Sequence, residues 1–371
     1  MMIAKKMCVG ILFGGQSPEH EVSFHSARCM VKNIRPEKYE VILIGINKRG
    51  EWFYLNRSQF SSLFENGDIS VFEGGEKYVS SKWSLAKERG FSPRILCGEC
   101  DVIFPLIHGP FGEDGTIQGL LKLANLPFVG SDVLGSAICM DKGITKRLLR
   151  EAGIPTPRFR CLKAETMFDC RALIEEMGLP LFVKPARLGS SIGISKVHRS
   201  SELLSAIETA LQYGEKILIE ECIDGREIEC AVLGNSDLSV SLPGEVIPTH
   251  EFYSYEAKYV DHCGAHFKLP AQLDSSTILK IQALAKRGFL SLECEGMARI
   301  DFFLRTDGKL FLSEINTIPG FTMISLYPKL WELSNISYST LIDHLIQLAL
   351  ERHKRFRDLE KKVLAHPYIS H

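Results

Sequence analysis

Residues 299–320 read RIDFFLRTDGKLFLSEINTIPG. One apolar run from Ile300 to Leu304 and another from Leu310 to Leu312 flank Asp307-Gly308. An Asp-Gly pair between apolar runs is a strong short-range hairpin signal, because glycine supplies the positive φ that a tight turn demands. The spacing therefore predicts two antiparallel strands. Arg299, Asp301, Glu314 and Asn316 fall at the strand ends, where a plain hairpin gains nothing from them. Strand alternation puts Glu314 and Asn316 on one face, and Asp301 meets them from the paired strand with Arg299 beside it. Two carboxylates ~4 Å apart repel by about 4 kcal/mol at an effective dielectric of about 20. A hard divalent cation removes that conflict, and oxygen donors without His or Cys suit Mg2+. A surface salt-bridge cluster accounts for the same charges equally well at this stage.

The chain has 371 residues, enough for two or three domains at roughly 100–200 residues each. Apolar residues make up 45% and charged ones 24%, ordinary globular usage. A net charge of −1 gives no bulk attraction to nucleic acid or anionic membrane. No apolar stretch approaches the ~20 residues of a transmembrane span. The opening MMIAKKMCVGILFGG has the basic flank of a signal peptide, but its apolar run ends in Gly14-Gly15 and reads as a first β-strand. Eleven cysteines, odd in number and irregularly spaced, suggest reduced thiols in a cytoplasm. CGEC (97–100) has the spacing of a redox or zinc pair, but no second pair or His cluster accompanies it, so we read two incidental thiols.

The first third alternates strand and helix. CVGILFGG (8–15), EVILIGIN (40–47) and DVIFPLIHG (101–109) are strand-like, with helical patterns through EVSFHSARCMVKNI and TIQGLLKLA. Near-continuous apolar strands between helices imply a parallel sheet covered on both faces. Residues 50–95 break this rhythm as an insertion. From residue 131 the texture changes. KGITKRLLREAG is a helix stopped by Gly153 and Pro155, and LFVKPA (181–186), IGISKV (192–197) and KILIEEC (216–222) are strands. The helix SSELLSAIETALQYG lies among them, and REIECAVLGN with the opening hairpin brings antiparallel character. Helices around 277–292 and 337–355 complete the chain.

Further stretches carry chemistry. In VKPARLGSSIG (183–193) a lysine ends an apolar strand before a Gly-Ser loop. Such a loop lets backbone N–H groups approach phosphate oxygens, although a generic turn has the same composition. Lys184 is harder to read as incidental, because lysine is rarely buried without an anionic partner. IEECIDGREIE (219–229) offers an extended wall for a purine, with Glu220 and Glu227 for its amino group and ribose hydroxyls. GGQSPEHEVS (14–23) and HGPFGEDG (108–115) each follow a strand of the first sheet, where α/β sheets bind ligands. Carboxylates at a helix start also serve as plain caps.

Taken in order with MDK (140–142), EAKY (256–259) and the serine at 325, these motifs resemble the D-alanine–D-alanine ligase family of ATP-grasp carboxylate–amine ligases. The resemblance runs from residue 14 to 326, most of the chain. It implies an α/β ATP-grasp fold in three parts: an N-terminal parallel α/β domain over 1–130, a central grasp subdomain over 131–221 and a C-terminal one over 222–371. It implies ATP-dependent joining of two D-alanines through an acylphosphate, for peptidoglycan precursors. Lys142, Lys184 and Lys258 would contact phosphates, while Glu220, Cys222, Ile223, Glu227 and Phe303 would surround adenosine. Asp301, Glu314 and Asn316 would hold two Mg2+ or Mn2+. Glu19 would bind the ammonium of the first D-alanine with His108 nearby, and Ser190 and Tyr259 would hydrogen-bond across the closed site. Arg299 and the Gly320 N–H would stabilise the oxyanion, and Ser325 would hold the carboxylate of the second D-alanine. A loop around 250–265 would close over the reaction, since an acylphosphate hydrolyses in water. A homodimer in the cytoplasm is the family expectation.

Departures from the family pattern are small: Leu188 and Pro110 stand where some members carry charge. The rival readings are a D-alanine–D-lactate or D-alanine–D-serine ligase and a non-catalytic nucleotide-binding protein. The intact FYSYEAKY (252–259) argues against the lactate type, and no metal ligand or phosphate lysine is missing, as the non-catalytic reading requires.

Overall fold

The computed structural model describes residues 5–55, 60–61, 99–249 and 264–364. Lys258, Tyr259, the closing loop apart from its last residues, Cys97 and most of the 50–95 insertion lie outside the described residues.

The N-terminal strands are apolar because they are covered. β1 (Met7–Gly14), β2 (Tyr39–Ile46) and β4 (Val102–Pro105) run parallel, with β1 in the middle. Val9, Ile11, Leu12 and Phe13 are all fully buried, so β1 has no polar face. The helix α1 (His20–Asn33) crosses between β1 and β2, and α2 (Thr116–Leu123) follows β4. The structure corrects the start of the insertion: β3 (Trp52–Leu55) falls inside it and adds an antiparallel edge to β2, so the sheet is mixed.

Two helices lead into the second sheet, α3 (Val133–Met140) and α4 (Lys142–Glu151). Asp141 caps α4 by accepting the Gly143 and Ile144 N–H groups. That sheet is antiparallel in the order β5 (Phe159–Lys163), β8 (Lys216–Glu221), β6 (Leu181–Pro185), β7 (Ser195–Val197). Its apolar side is covered by α5 (Cys170–Met177) and α6 (Leu203–Leu211).

The third sheet is antiparallel in the order β12 (Ala265–Lys268), β11 (Gly244–Pro248), β9 (Gly225–Gly234), β13 (Gly296–Arg305), β14 (Leu310–Asn316), with β10 (Leu238–Val240) on β9. Helix α7 (Ser275–Ser291) packs Ile281, Ala285 and Phe289 on it. α8 (Leu326–Leu333) and α9 (Tyr338–Leu364) join its core to that of the first sheet through Tyr327, Trp331 and Leu341. Helix α9 runs beyond the expected end near residue 355. Among the described residues no helix is long and apolar enough to cross a membrane.

The hairpin formed by β13 and β14 contains an irregularity that decides the site. Asp301 pairs with Glu314, but Phe302 pairs with Leu312, leaving Ser313 as the extra residue of a bulge. The buried positions of β14 are therefore Leu310, Leu312 and Ile315, a spacing of two and then three. The bulge resets the alternation so that Glu314 and Asn316 share the half-exposed face of Arg299, Asp301 and Phe303.

Candidate functional site

On that face Arg299 grips Asp301 with two parallel bonds, Nε to Oδ1 at 2.8 Å and Nη2 to Oδ2 at 2.7 Å. Its Nε also lies 2.9 Å from Oε2 of Glu229, which stands opposite Asp301 on β9. Burial alone would lower the Arg299 pKa, but Asp301 and Glu229 outweigh it and hold the guanidinium well above its ordinary value. Asn316 donates from Nδ2 to Asp301 at 3.0 Å, and Lys142 places Nζ 3.5 Å from Glu314. Lys142 also donates to the Leu188 carbonyl at 3.0 Å, which ties the start of α4 to the Gly-Ser loop. Phe303 stands opposite Glu227 across β13 and β9, at the far end of the same face.

The second sheet supplies a buried charge group. Lys184 on β6 and Glu220 on β8 are diagonal neighbours across the ladder, joined Nζ to Oε1 at 3.0 Å. The other Glu220 oxygen meets Nζ of Lys146 at 2.7 Å, and Lys146 donates to Thr156 at 3.0 Å. Burial alone would raise the Glu220 pKa, but the two lysines hold it below the ordinary value. Burial pushes the Lys146 ammonium down against the pull of Glu220. Lys184 is thus buried with an anionic partner, as its position at a strand end suggested. Sequence reasoning gave Lys146 no role. Its signal was present, since Lys146 lies four residues after Lys142 and so on the same face of α4. Cys222 and Ile223 follow β8 and are half-buried, with the Cys222 N–H on the Pro180 carbonyl at 3.3 Å.

The third group gathers where the first sheet meets the other two. Glu19 precedes α1 and accepts the Ser190 hydroxyl at 2.5 Å, joining residues 171 positions apart. Gly109, at φ +74°, lies directly beneath it: a Cβ there would stand 2.5 Å from Glu19 Oε2. Glu113, which sequence reasoning did not single out, accepts the N–H groups of Gly109 at 2.7 Å and Ile318 at 3.0 Å. Burial and the nearby Glu19 carboxylate push its carboxyl up to about 8, against those two donors. His108 stands beside this group and is fixed at both ring nitrogens. Its Nδ1 lies 2.9 Å from the Ile318 carbonyl and its Nε2 3.0 Å from the Ser26 hydroxyl, so both ring nitrogens hold the protein itself. Ser325 precedes α8, and its Oγ accepts the Thr322 N–H at 3.0 Å. Gly320 lies against it, where a Cβ would stand 2.9 Å from that oxygen.

The structure thus brings Glu19, Ser190, His108, Gly320 and Ser325 to one junction, and Arg299, Asp301, Glu314, Asn316 and Lys142 to the adjoining sheet face. Among the described residues no group of three or more His, Cys, Asp or Glu side chains is arranged to hold a metal ion. The donors on the hairpin are two carboxylates and a carboxamide, all oxygen ligands suited to a hard cation. All nine cysteines among the described residues are free.

Two family models match the chain, D-ala D-ala ligase N-terminus over residues 8–131 and D-ala D-ala ligase C-terminus over residues 148–347. A D-alanine–D-alanine ligase of Oceanobacillus iheyensis is 48% identical, with 96% of this chain and 98% of that one aligned. D-alanine–D-alanine ligase A of Escherichia coli is 45% identical, with 94% and 97% aligned. Among solved structures, the D-alanine-D-alanine ligase from Coxiella burnetii superposes with a TM-score of 0.81 at 35% identity, covering 96% of this chain and 99% of that one. The VanG D-Ala:D-Ser ligase from Enterococcus faecalis superposes with a TM-score of 0.79 at 34% identity, covering 93% and 100%.

Proposed function

We propose a division of labour for these residues from the premise that this chain belongs to the D-alanine–D-alanine ligase family. The chain has the ATP-grasp fold and is an ATP-dependent ligase that joins two D-alanines, a step of peptidoglycan precursor synthesis. Residues 1–130 form the N-terminal domain, 131–221 the central grasp subdomain and 222–371 the C-terminal one. The observation that carries the site assignment is the meeting of the Glu19–Ser190 pair with the loop bearing Gly320 and Ser325, beside the Arg299–Asp301 face.

In this reading ATP lies between the second and third sheets. Lys142 and Lys184 contact its phosphates, and Glu220, Cys222, Ile223, Glu227 and Phe303 line the nucleoside. Asp301, Glu314 and Asn316 would hold two Mg2+ or Mn2+, which when bound neutralise phosphate charge. Glu19 binds the ammonium of the first D-alanine, whose carboxylate takes the γ-phosphoryl group and becomes an acylphosphate. Such a transfer asks little covalent work of the protein, so fixed positive charge from the lysines carries the barrier. Ser325 holds the carboxylate of the second D-alanine at the start of α8, where the helix dipole favours an anion. Its amine attacks the acyl carbon, and the oxyanion meets Arg299 and the Gly320 N–H before phosphate leaves. Lys258 and Tyr259 keep the roles that the family pattern gives them, on phosphate and on Ser190. The protein works as a homodimer in the cytoplasm, the expectation that comes with the family.

The test is phosphate release with ATP, Mg2+ and a panel of D-alanine, D-serine and D-lactate, with products read by mass spectrometry. D-alanyl-D-alanine is the expected main product, and its absence at saturating substrate would overturn the reading. D-serine is included because the VanG structure is so similar. A second prediction tests the first subsite. Gly109→Ala pushes a methyl group into Glu19 Oε2 from a backbone at φ +74°. Losing one charged hydrogen bond to the ammonium should raise the KM for the first D-alanine roughly 10- to 100-fold. The KM for ATP should stay put, and an unchanged D-alanine KM would remove Glu19 from that subsite.

A further inference from the structure

We infer that Glu113 is a positioning residue that ties the subsite of the first D-alanine to the loop presenting the Gly320 N–H; this rests on the roles proposed above for Glu19 and Gly320. A carboxyl group has two oxygens that can accept N–H bonds, ionised or not, and Glu113 spends them on two different elements. Oε2 takes the Gly109 N–H at 2.7 Å, and Gly109 is the residue beneath Glu19. Oε1 takes the Ile318 N–H at 3.0 Å, two residues before Gly320 and 205 positions away along the chain.

The same loop is held at a second point. A carbonyl oxygen can only accept, so His108 must carry its proton on Nδ1 to bond Ile318 at 2.9 Å. Its Nε2 then accepts from the Ser26 hydroxyl at 3.0 Å, and the Ser26 oxygen accepts the Phe321 N–H at 3.3 Å. Every donor in this series has one acceptor. Ile318 is gripped at both its N–H and its C=O, and Phe321 is fixed just beyond Gly320. The Phe321 ring is fully buried, 5.5 Å from the Phe104 ring centre, which sets how far the loop can shift. Gly320 therefore sits in a short span clamped at each end by residues of the N-terminal half. Any change that moves Glu113 moves Gly109 under Glu19 and the oxyanion donor together.

The chemistry at 113 admits few substitutes. Glutamine keeps the length but offers one oxygen and one NH2 group to two N–H donors, so one contact becomes donor against donor. Aspartate keeps both oxygens but is one methylene short of spanning Gly109 and Ile318. The experiment uses the purified full-length chain and separates the KM for ATP, the KM for each D-alanine and kcat. A misplacement of about 1 Å at a reacting centre costs up to about 10²-fold. Glu113→Gln is therefore expected to lose roughly 10- to 100-fold in kcat and to raise the KM for the first D-alanine, with the KM for ATP unchanged. Ser26→Ala, which removes only the Phe321 acceptor and the His108 donor, should lower kcat without moving the KM for ATP. It is read alone if Glu113→Gln does not fold. Turnover within about threefold of the parent in either folded variant would overturn the inference, as would a parallel rise in the KM for ATP. Failure of both to fold would also overturn it, marking these side chains as general supports. A parent chain that makes no dipeptide would instead sink the functional reading.

Discussion

Glu314→Gln should leave a folded chain that still binds ATP but forms dipeptide at least about 10²-fold more slowly. Glu314 owes its direction to the bulge at Ser313, which turns it onto the face of Asp301. Glutamine keeps the shape of the side chain and removes one charge from the oxygen donor set proposed for the cations. A second effect opposes the first. Lys142 lies 3.5 Å from Glu314, and losing that partner frees its ammonium for phosphate. The pair is partly exposed, with 12% of the lysine and 31% of the glutamate side chain accessible, so it is worth about 1 kcal/mol or less. Loss of one transition-state electrostatic contact costs about 2.7–4 kcal/mol, so the slowing wins. A magnesium titration of the variant should also need a higher concentration for half-maximal rate. Near-normal turnover with an unchanged magnesium requirement would make the hairpin carboxylates a structural cluster.

Lys146→Met should cost roughly 3 kcal/mol of stability, near the low end for breaking a buried ion pair. Methionine matches the lysine stem in length, so little packing is lost. What remains is a buried Glu220 with Lys184 still 3.0 Å away, which is why the cost stays at the low end. Lys184 is then drawn toward Glu220 and away from phosphate, so the KM for ATP should rise as well. The pH dependence has a definite sign. The Glu220 pKa is lowered below 4.5 in the folded chain, so its stabilisation is present above that pH and lost as the pH falls through the folded value. The deficit of the variant should therefore be largest near neutrality and shrink in acid. Chemical denaturation at several pH values, with the ATP KM alongside, checks both parts. A variant as stable as the parent at pH 7 would show that Glu220 is satisfied without Lys146.

Local order in the sequence made much of the fold legible. The Asp307-Gly308 turn and its flanking apolar runs specify the β13–β14 hairpin because turn geometry is set by adjacent residues. The apolar runs at 8–15, 40–47 and 101–109 become β1, β2 and β4 as expected, since strands covered on both faces have no polar positions to alternate with. Strand β3 was lost in the 50–95 stretch because its four residues, with one face half-exposed, give too short a pattern. In the sequence, Lys146 is just one more polar position of the helix KGITKRLLREAG. Only the facing strand β8, which brings Glu220, turns it into a buried partner.

Motif order and donor type were fixed by the chain itself: oxygen ligands at 301, 314 and 316, a strand-end lysine at 184 and glycine-bearing loops after β1 and β4. Pairings across the junction were not. Ser190 finds Glu19 over 171 positions, Glu113 finds Ile318 over 205 and His108 finds Ile318 over 210. A polar side chain in a loop has many partners within chemical reach, and no local periodicity ranks them. Packing the first sheet against α8 and α9 removes the alternatives, because a polar group enclosed there must take the partner that the closed fold leaves beside it.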